Sequence, residues 1–148
     1  MRILAMDVGD RRIGMAISDS LGLMAHGIET LVRKGEKHDM ERIGKIINQY
    51  KPDKLVLGLP INMNGTIGPQ GEKVKEFGDL LKEEGFSENI IYWDERLTSM
   101  QANRIMIDAD VSRKKRKENV DMMAAIFILQ SYLDFINNQK KGGIRDGE

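Results

Sequence analysis

The stretch MRILAMDVGDRRIGMAISDS (residues 1–20) decides how the fold is read. Four of the five residues before Asp7 are apolar and Val8 follows it, so residues 2–8 read as a buried strand. Gly9-Asp10-Arg11 is a short polar turn and RIGMAIS (12–18) a second strand, which together predict a β-hairpin. Gly14, inside that second strand, signals close approach of another backbone or side chain. Asp7 is the anomaly. A carboxylate is costly inside an apolar strand unless something partners it. Arg11 or Arg12 would serve as an ion-pair partner.

Working outward, LMAHGIETLV (23–32) reads as the third strand of the same meander. A helix follows over 38–50, with Met40, Ile43, Ile46, Ile47 and Tyr50 at helical spacing and Pro52 as its stop. KLVLGLP (54–60) is a near-continuous apolar run, the pattern of a strand covered on both faces. INMNGTIGPQG (61–71) is a Gly/Asn/Pro loop leading into a second helix over 70–84, which Gly85 ends. NIIYWDE (89–95) is another strand. Thr98 and Gln101 form a capping box for a helix over 99–108. SRKKRK (112–117) is a basic loop, and the last helix spans 118–137. The order β-β-β-α-β-α-β-α-α predicts an α/β fold. Its mixed five-stranded sheet combines an antiparallel three-strand meander with two parallel strands and carries helices on both faces. Residues 1–138 form one domain, and the polar tail 139–148 is expected to be flexible.

Composition narrows the chemistry. The 148 residues carry 23 basic and 23 acidic side chains, so no global field gathers nucleic acid, and such binding needs a local patch. With no cysteine there is no disulfide, thiolate metal site or cysteine nucleophile, which suits a reducing, cytoplasmic setting. Two histidines, His26 and His38, do not make a histidine-rich metal centre. No signal pattern opens the chain, and no apolar stretch is expected to reach the roughly 18 residues of a membrane span.

Two further carboxylates stand out. Asp121 shares a helix face with Ala124, Ala125 and Ile128, the face suited to close packing on the sheet. As a first-turn acid it also suits the helix dipole. Asp94 and Glu95 close an apolar strand, where α/β sheets build their sites. Alternation lets only one of them face a given side, and Arg96 is at hand to pair with either. Two carboxylates about 4 Å apart repel by roughly 4 kcal/mol at an effective dielectric near 20. A divalent cation reverses that penalty. Oxygen-only ligands favour Mg²⁺ or Mn²⁺, and two such ions about 3.5–4 Å apart are a common engine of phosphodiester hydrolysis.

MDVGDRRIGMAISD, LVLGLPINMNGTIGPQ, DERLTS and VDMMAAIFILQSYL, in this order and spacing, resemble the YqgF/RuvX family over about residues 2–135. These are small bacterial proteins with a ribonuclease H-like fold, described as Holliday junction resolvases and as nucleases for the 5′ end of pre-16S ribosomal RNA. The resemblance implies catalytic, metal-binding acids at Asp7, Glu95 and Asp121, selecting Glu95 over Asp94. It also implies attack by water and products with a 5′ phosphate. Asp10 occupies a position that varies among relatives and is not assigned to metal.

In the loop, Asn64, Thr66 and Gln70 offer hydrogen bonds to phosphate, beside glycines that equally serve a tight turn. Arg113, Lys114, Lys115, Arg116 and Lys117 are the phosphate-backbone candidates, though such a run is also an ordinary solvated loop. Tyr92 and Trp93 read as core, as do most of the ten methionines. The expected substrate is a structured RNA precursor, with branched DNA as the alternative. Paired cuts in a junction call for a stable dimer, and no dimer face is evident, so a monomer or weak dimer is expected. The Asp-Val-Gly hairpin also resembles the opening of sugar kinases and actin, but those need a second similar domain. A non-catalytic RNA-binding adaptor is the remaining rival class.

Overall fold

The computed structural model describes residues 1–97 and 120–146. Strands β1 (Ile3–Val8), β2 (Arg12–Ser18) and β3 (Ala25–Val32) are followed by α1 (Glu36–Tyr50), β4 (Lys54–Leu59), α2 (Pro69–Glu83) and β5 (Ile90–Asp94). A 3-10 turn (Glu95–Leu97) closes β5, and α3 (Val120–Asp146) ends the described chain. The sheet order is β3-β2-β1-β4-β5. β1 pairs antiparallel with β2, and β2 with β3, whereas β1–β4 and β4–β5 are parallel. This is the predicted mixed sheet, with β1 at its centre.

Alternation along the strands sorts side chains to two cores. Leu4, Met6 and Val8, Ile13, Met15 and Ile17, and Leu55, Leu57 and Leu59 face α1 and α2. There they meet Met40, Ile43 and Ile46 and Val74, Phe77 and Leu81. Ile3, Ala5, Ala16 and Val56 face the other way, onto Ala125, Ile128, Leu129, Tyr132 and Leu133 of α3. By the same alternation Asp7 belongs to the α3 face, in line with Ile3 and Ala5. Tyr92 packs on the first core and Trp93 on the second, where its Nε1 donates to Ser131 Oγ at 3.2 Å. Both aromatics are core residues, as read from sequence.

Local chemistry explains the helix ends. α2 begins with Pro69, whose missing N–H costs nothing in a first turn, and terminates beside Gly85 at φ +76°. α1 ends at Lys51, which adopts the left-handed conformation just before Pro52.

Two expectations change. α3 continues to Asp146, past the predicted end at 137 and through most of the supposed tail. Gly142 and Gly143 are only weak stops, each costing about 1 kcal/mol relative to alanine, and no proline interrupts the run. An apolar stretch long enough for a membrane span does exist, Val120–Gln139. It covers the sheet: Ala125, Phe127, Ile128, Leu129, Tyr132 and Leu133 are buried. The predicted helix over 99–108, its Thr98/Gln101 cap and the basic run Arg113–Lys117 lie outside the described residues.

Candidate active site

Three elements bring the acids to one edge of the sheet. Asp7 stands on β1, next to last in the strand, paired with Gly14 of β2. Glu95 follows the last residue of β5, two positions after Trp93, and therefore turns to the α3 face. Asp121 is in the first turn of α3.

Glycines make the convergence possible. β4 lies between β1 and β5, and Gly58 pairs with Trp93 across the β4–β5 ladder. A methyl group at Gly58 would lie 2.8 Å from Glu95 Oε1 and would collide with Ile128 Cδ1. The bare backbone there lets the Glu95 side chain cross β4 toward Asp7. Gly14 serves α3 in the same way, because a side chain would run into the Asp121 carbonyl. The sequence had flagged Gly14. Gly58 went unremarked, although a glycine inside a fully apolar strand carries the same signal.

Glu95 and Asp7 share a side-chain hydrogen bond. Burial, the charge of Asp7, that hydrogen bond and the charge of Asp94 push the Glu95 pKa up to about 7. Burial also raises Asp7. The hydrogen bond from Glu95 opposes the rise, the charge of Asp121 adds to it, and the net direction is up. Two carboxyls in such contact hold a proton between them unless a cation replaces it.

Asp94 behaves differently. Arg96 grips both of its oxygens, with Nε at 3.1 Å from each and Nη2 at 2.8 Å from Oδ2. That hydrogen-bonded pair holds the Asp94 carboxyl below its ordinary range. The structure thus separates the adjacent acids, one locked to arginine and one aimed at Asp7. Asp121 pairs loosely with Arg12, Nη1 to Oδ2 at 4.0 Å. Arg12 is therefore the partner of Asp121 and not of Asp7. Among the described residues no three acids or imidazoles already enclose a common point. The Asp7–Glu95 pair is the nucleus, and Asp121 stands within electrostatic reach of it. An oxygen-only donor set, with two carboxyls forced together, fits a hard divalent cation.

The turn that follows Asp7 is pinned. Gly9 N–H donates to the Arg12 carbonyl at 2.9 Å, and Arg33 Nη1 donates to the Gly9 carbonyl at 2.9 Å. The 61–68 loop is also preformed. Gly65 sits at φ +85°, and Asn64 Oδ1 accepts from Thr66 N at 3.1 Å and from Thr66 Oγ1 at 2.6 Å. Arg96 Nη1 ties this loop to the residue next to Glu95 by donating to the Asn62 carbonyl at 3.3 Å. Asn64 and Thr66 are exposed on it. Gln70 is not brought to the acids: its Nε2 donates to the Val8 carbonyl at 3.4 Å, in a groove on the α2 side with Arg33 and Phe77.

A ribonuclease H-like sheet with one acid on its central strand β1, one just past its edge strand β5 and one in the first turn of α3 points to a class, the phosphodiester-hydrolysing nucleases built on this scaffold. Within it the chain belongs to the RuvX family, "Holliday junction resolvase", whose profile matches residues 1–135. A protein of Clostridium tetani named "Putative pre-16S rRNA nuclease" is 58% identical over 139 residues, spanning 94% of this chain and 100% of that one. One of the same name from Thermoanaerobacter pseudethanolicus is 54% identical over 140 residues, spanning 94% and 100%. Among solved structures, the Fowlpox virus resolvase in complex with Holliday junction DNA aligns with a TM-score of 0.57 at 16% identity, over 92% of this chain and 99% of that one. Thermus thermophilus RuvC with its junction substrate aligns at 0.53 and 12%, over 88% and 92%. At such identities the structural likeness speaks for the fold alone.

Proposed function

We propose that this protein is a divalent-cation-dependent nuclease that processes the 5′ end of a ribosomal RNA precursor, with Asp7, Glu95 and Asp121 as its catalytic acids. The hydrogen-bonded Asp7–Glu95 pair carries this reading, since two carboxyls held together on rigid strand ends await a cation. The name borne by relatives more than 50% identical over nearly their whole length supports the RNA substrate. Asp7 and Glu95 would hold Mg²⁺ or Mn²⁺, with Asp121 completing the set. Bound there, the ions supply charge stabilisation for the phosphoryl group and lower the pKa of a water. The protein's part is positional. β1 fixes Asp7, the space over Gly58 admits Glu95, and close packing at Gly14 sets Asp121. The exposed turn of Asn64 and Thr66 and the run Arg113–Lys117 are suited to follow the phosphate backbone. Gln70 is committed to β1.

Labelled pre-ribosomal RNA and a four-way DNA junction are to be incubated with the protein in Mg²⁺, Mn²⁺ or EDTA. Metal-dependent RNA cleavage that Asp7→Asn abolishes, with circular dichroism unchanged, is the expected result. Paired cuts in the junction with intact RNA would shift the substrate to branched DNA. Binding of RNA without cleavage of either substrate would make the protein an adaptor.

A further inference from the structure

The acids at the sheet edge must receive a polyanion, so some cation has to meet it beside them. Most described cations near this edge are already engaged. Arg33 Nε is bound to Asp39 at 3.2 Å, Lys73 to Asp10 at 3.2 Å, and Arg96 to Asp94 at 2.8 Å. Arg11 and Arg12 differ. Among the described residues the Arg12 side chain has only its long 4.0 Å contact with Asp121, and it is 60% exposed. Arg11 is exposed and has no ion-pair partner among the described residues. The two line a groove of about 320 Å³ with Gly9, Asp10 and Asp121. A larger groove between α1 and the end of α2, about 590 Å³, sets Glu36, Glu41 and Glu84 against the one lysine Lys37 and is net acidic, which disfavours phosphate.

The backbone under these arginines is fixed while their heads are loose. The Arg12 carbonyl accepts from Gly9 N–H, and the Arg11 carbonyl accepts from Arg33 N–H at 2.9 Å. Arg12 is the first residue of β2 and shares a face with Gly14, which places it toward α3 and Asp121. A rigid base with two planar, many-donor heads matches a phosphodiester oxygen pair.

We infer that Arg11 and Arg12 form a phosphate subsite on the α3 side of the catalytic edge, where they hold the nucleic-acid backbone next to the scissile bond. Arg12, held only loosely by Asp121 at 4.0 Å, exchanges that contact for a substrate phosphate. This rests on the nuclease reading for its location, but its binding can be measured without turnover.

The test is fluorescence anisotropy with a short labelled single-stranded RNA, in Ca²⁺ and in EDTA, across a salt series, with the RNA checked for integrity on a gel. The Arg11→Gln/Arg12→Gln double variant should lose roughly tenfold in affinity at low salt, and the slope of log K against log[salt] should shrink by about 1–2. Lys45→Gln/Lys37→Gln, an equal charge change on α1, should bind as wild type does. No binding by the wild type, a wild-type slope in the arginine variant, or an equal loss in the lysine control would each overturn the subsite. RNA cleavage is scored separately. Arginine-dependent binding without cleavage leaves the subsite standing and removes the nuclease reading, and cleavage indifferent to both arginines does the reverse.

Discussion

Asp39 and Asp7 are both acids at the same end of the sheet, and the protein treats them in opposite ways. Asp39, 1% exposed, accepts from Lys34 N–H at 3.1 Å and from Arg33 Nε at 3.2 Å, with His38 Nδ1 also at 3.2 Å. Burial pushes its pKa up, but those hydrogen bonds and the Arg33 charge outweigh burial, and the net direction is down. Asp7 meets only the hydrogen bond from Glu95, which does not offset burial and the charge of Asp121, and its pKa goes up. One acid has been given donors and the other has been given a second acid. A carboxylate with donors is finished structure, whereas paired acids are a demand for an outside cation. The two regions touch through Arg33, which holds Asp39 with Nε and the Gly9 carbonyl beside Asp7 with Nη1. The satisfied acid thereby steadies the unsatisfied one.

The comparison breaks first at Asp7. Asp7→Asn should cost on the order of 10³-fold or more in turnover, about 4 kcal/mol of transition-state stabilisation. It should leave the melting temperature in chelator unchanged or higher, since it relieves the acid pair. A variant that loses activity only by unfolding would mean Asp7 is structural. Asp39→Ala should show the reverse pattern: a stability loss of about 2–4 kcal/mol, because Arg33 and the Lys34 N–H lose their partner. For a chain of this size that lowers the melting temperature by roughly 6–12 °C. Activity well below melting should fall far less than in Asp7→Asn. Thermal melts alongside initial rates read both.

Gly58→Ala probes what keeps Glu95 in reach of Asp7. The added methyl must displace the Glu95 carboxyl or Ile128, at about 1–3 kcal/mol. Mn²⁺ raises the melting temperature of a protein that binds it in the folded state. The Mn²⁺-induced rise should therefore shrink in Gly58→Ala. A full rise would show that Glu95 reaches its place by another route.

Much of this was legible in the chain itself. The 3.6 and 2.0 periodicities placed the strands and helices of the described chain because each buried face needs its own stripe, and Gly14 announced the close approach of another element, which the structure shows to be α3. The rest needed three dimensions. Spacing alone leaves Asp94 and Glu95 equivalent; the family resemblance chose Glu95, and their directions give the physical reason: Arg96 takes one and the gap over Gly58 admits the other. Asp39 carries no signal of its own in the sequence, because its donors arrive from Arg33 and Lys34 on the preceding segment. The end of α3 was misjudged because two glycines weaken a helix without stopping it.

The smallest effect expected is on the pH dependence of stability, and its value lies in its sign. Asp39 ionises more readily in the folded chain than in the unfolded one, whose carboxyl titrates near 3.8. Its stabilisation is present above that pH and disappears as pH falls through the lowered folded value. Glu95 runs the other way. Unfolded, it loses its proton near 4.5, but in the fold it keeps the proton until about pH 7. In chelator its contribution is therefore full below about pH 4.5 and is lost as pH rises toward 7. Urea melts of the chelated wild type should accordingly show stability climbing out of acid and then declining toward neutrality. Asp39→Asn should flatten the first limb and Glu95→Gln the second. Mn²⁺ should remove the second limb in the wild type, because a cation substitutes for the shared proton. A neutral limb that survives in Glu95→Gln would place the strained carboxyl elsewhere and dissolve the contrast between the two regions.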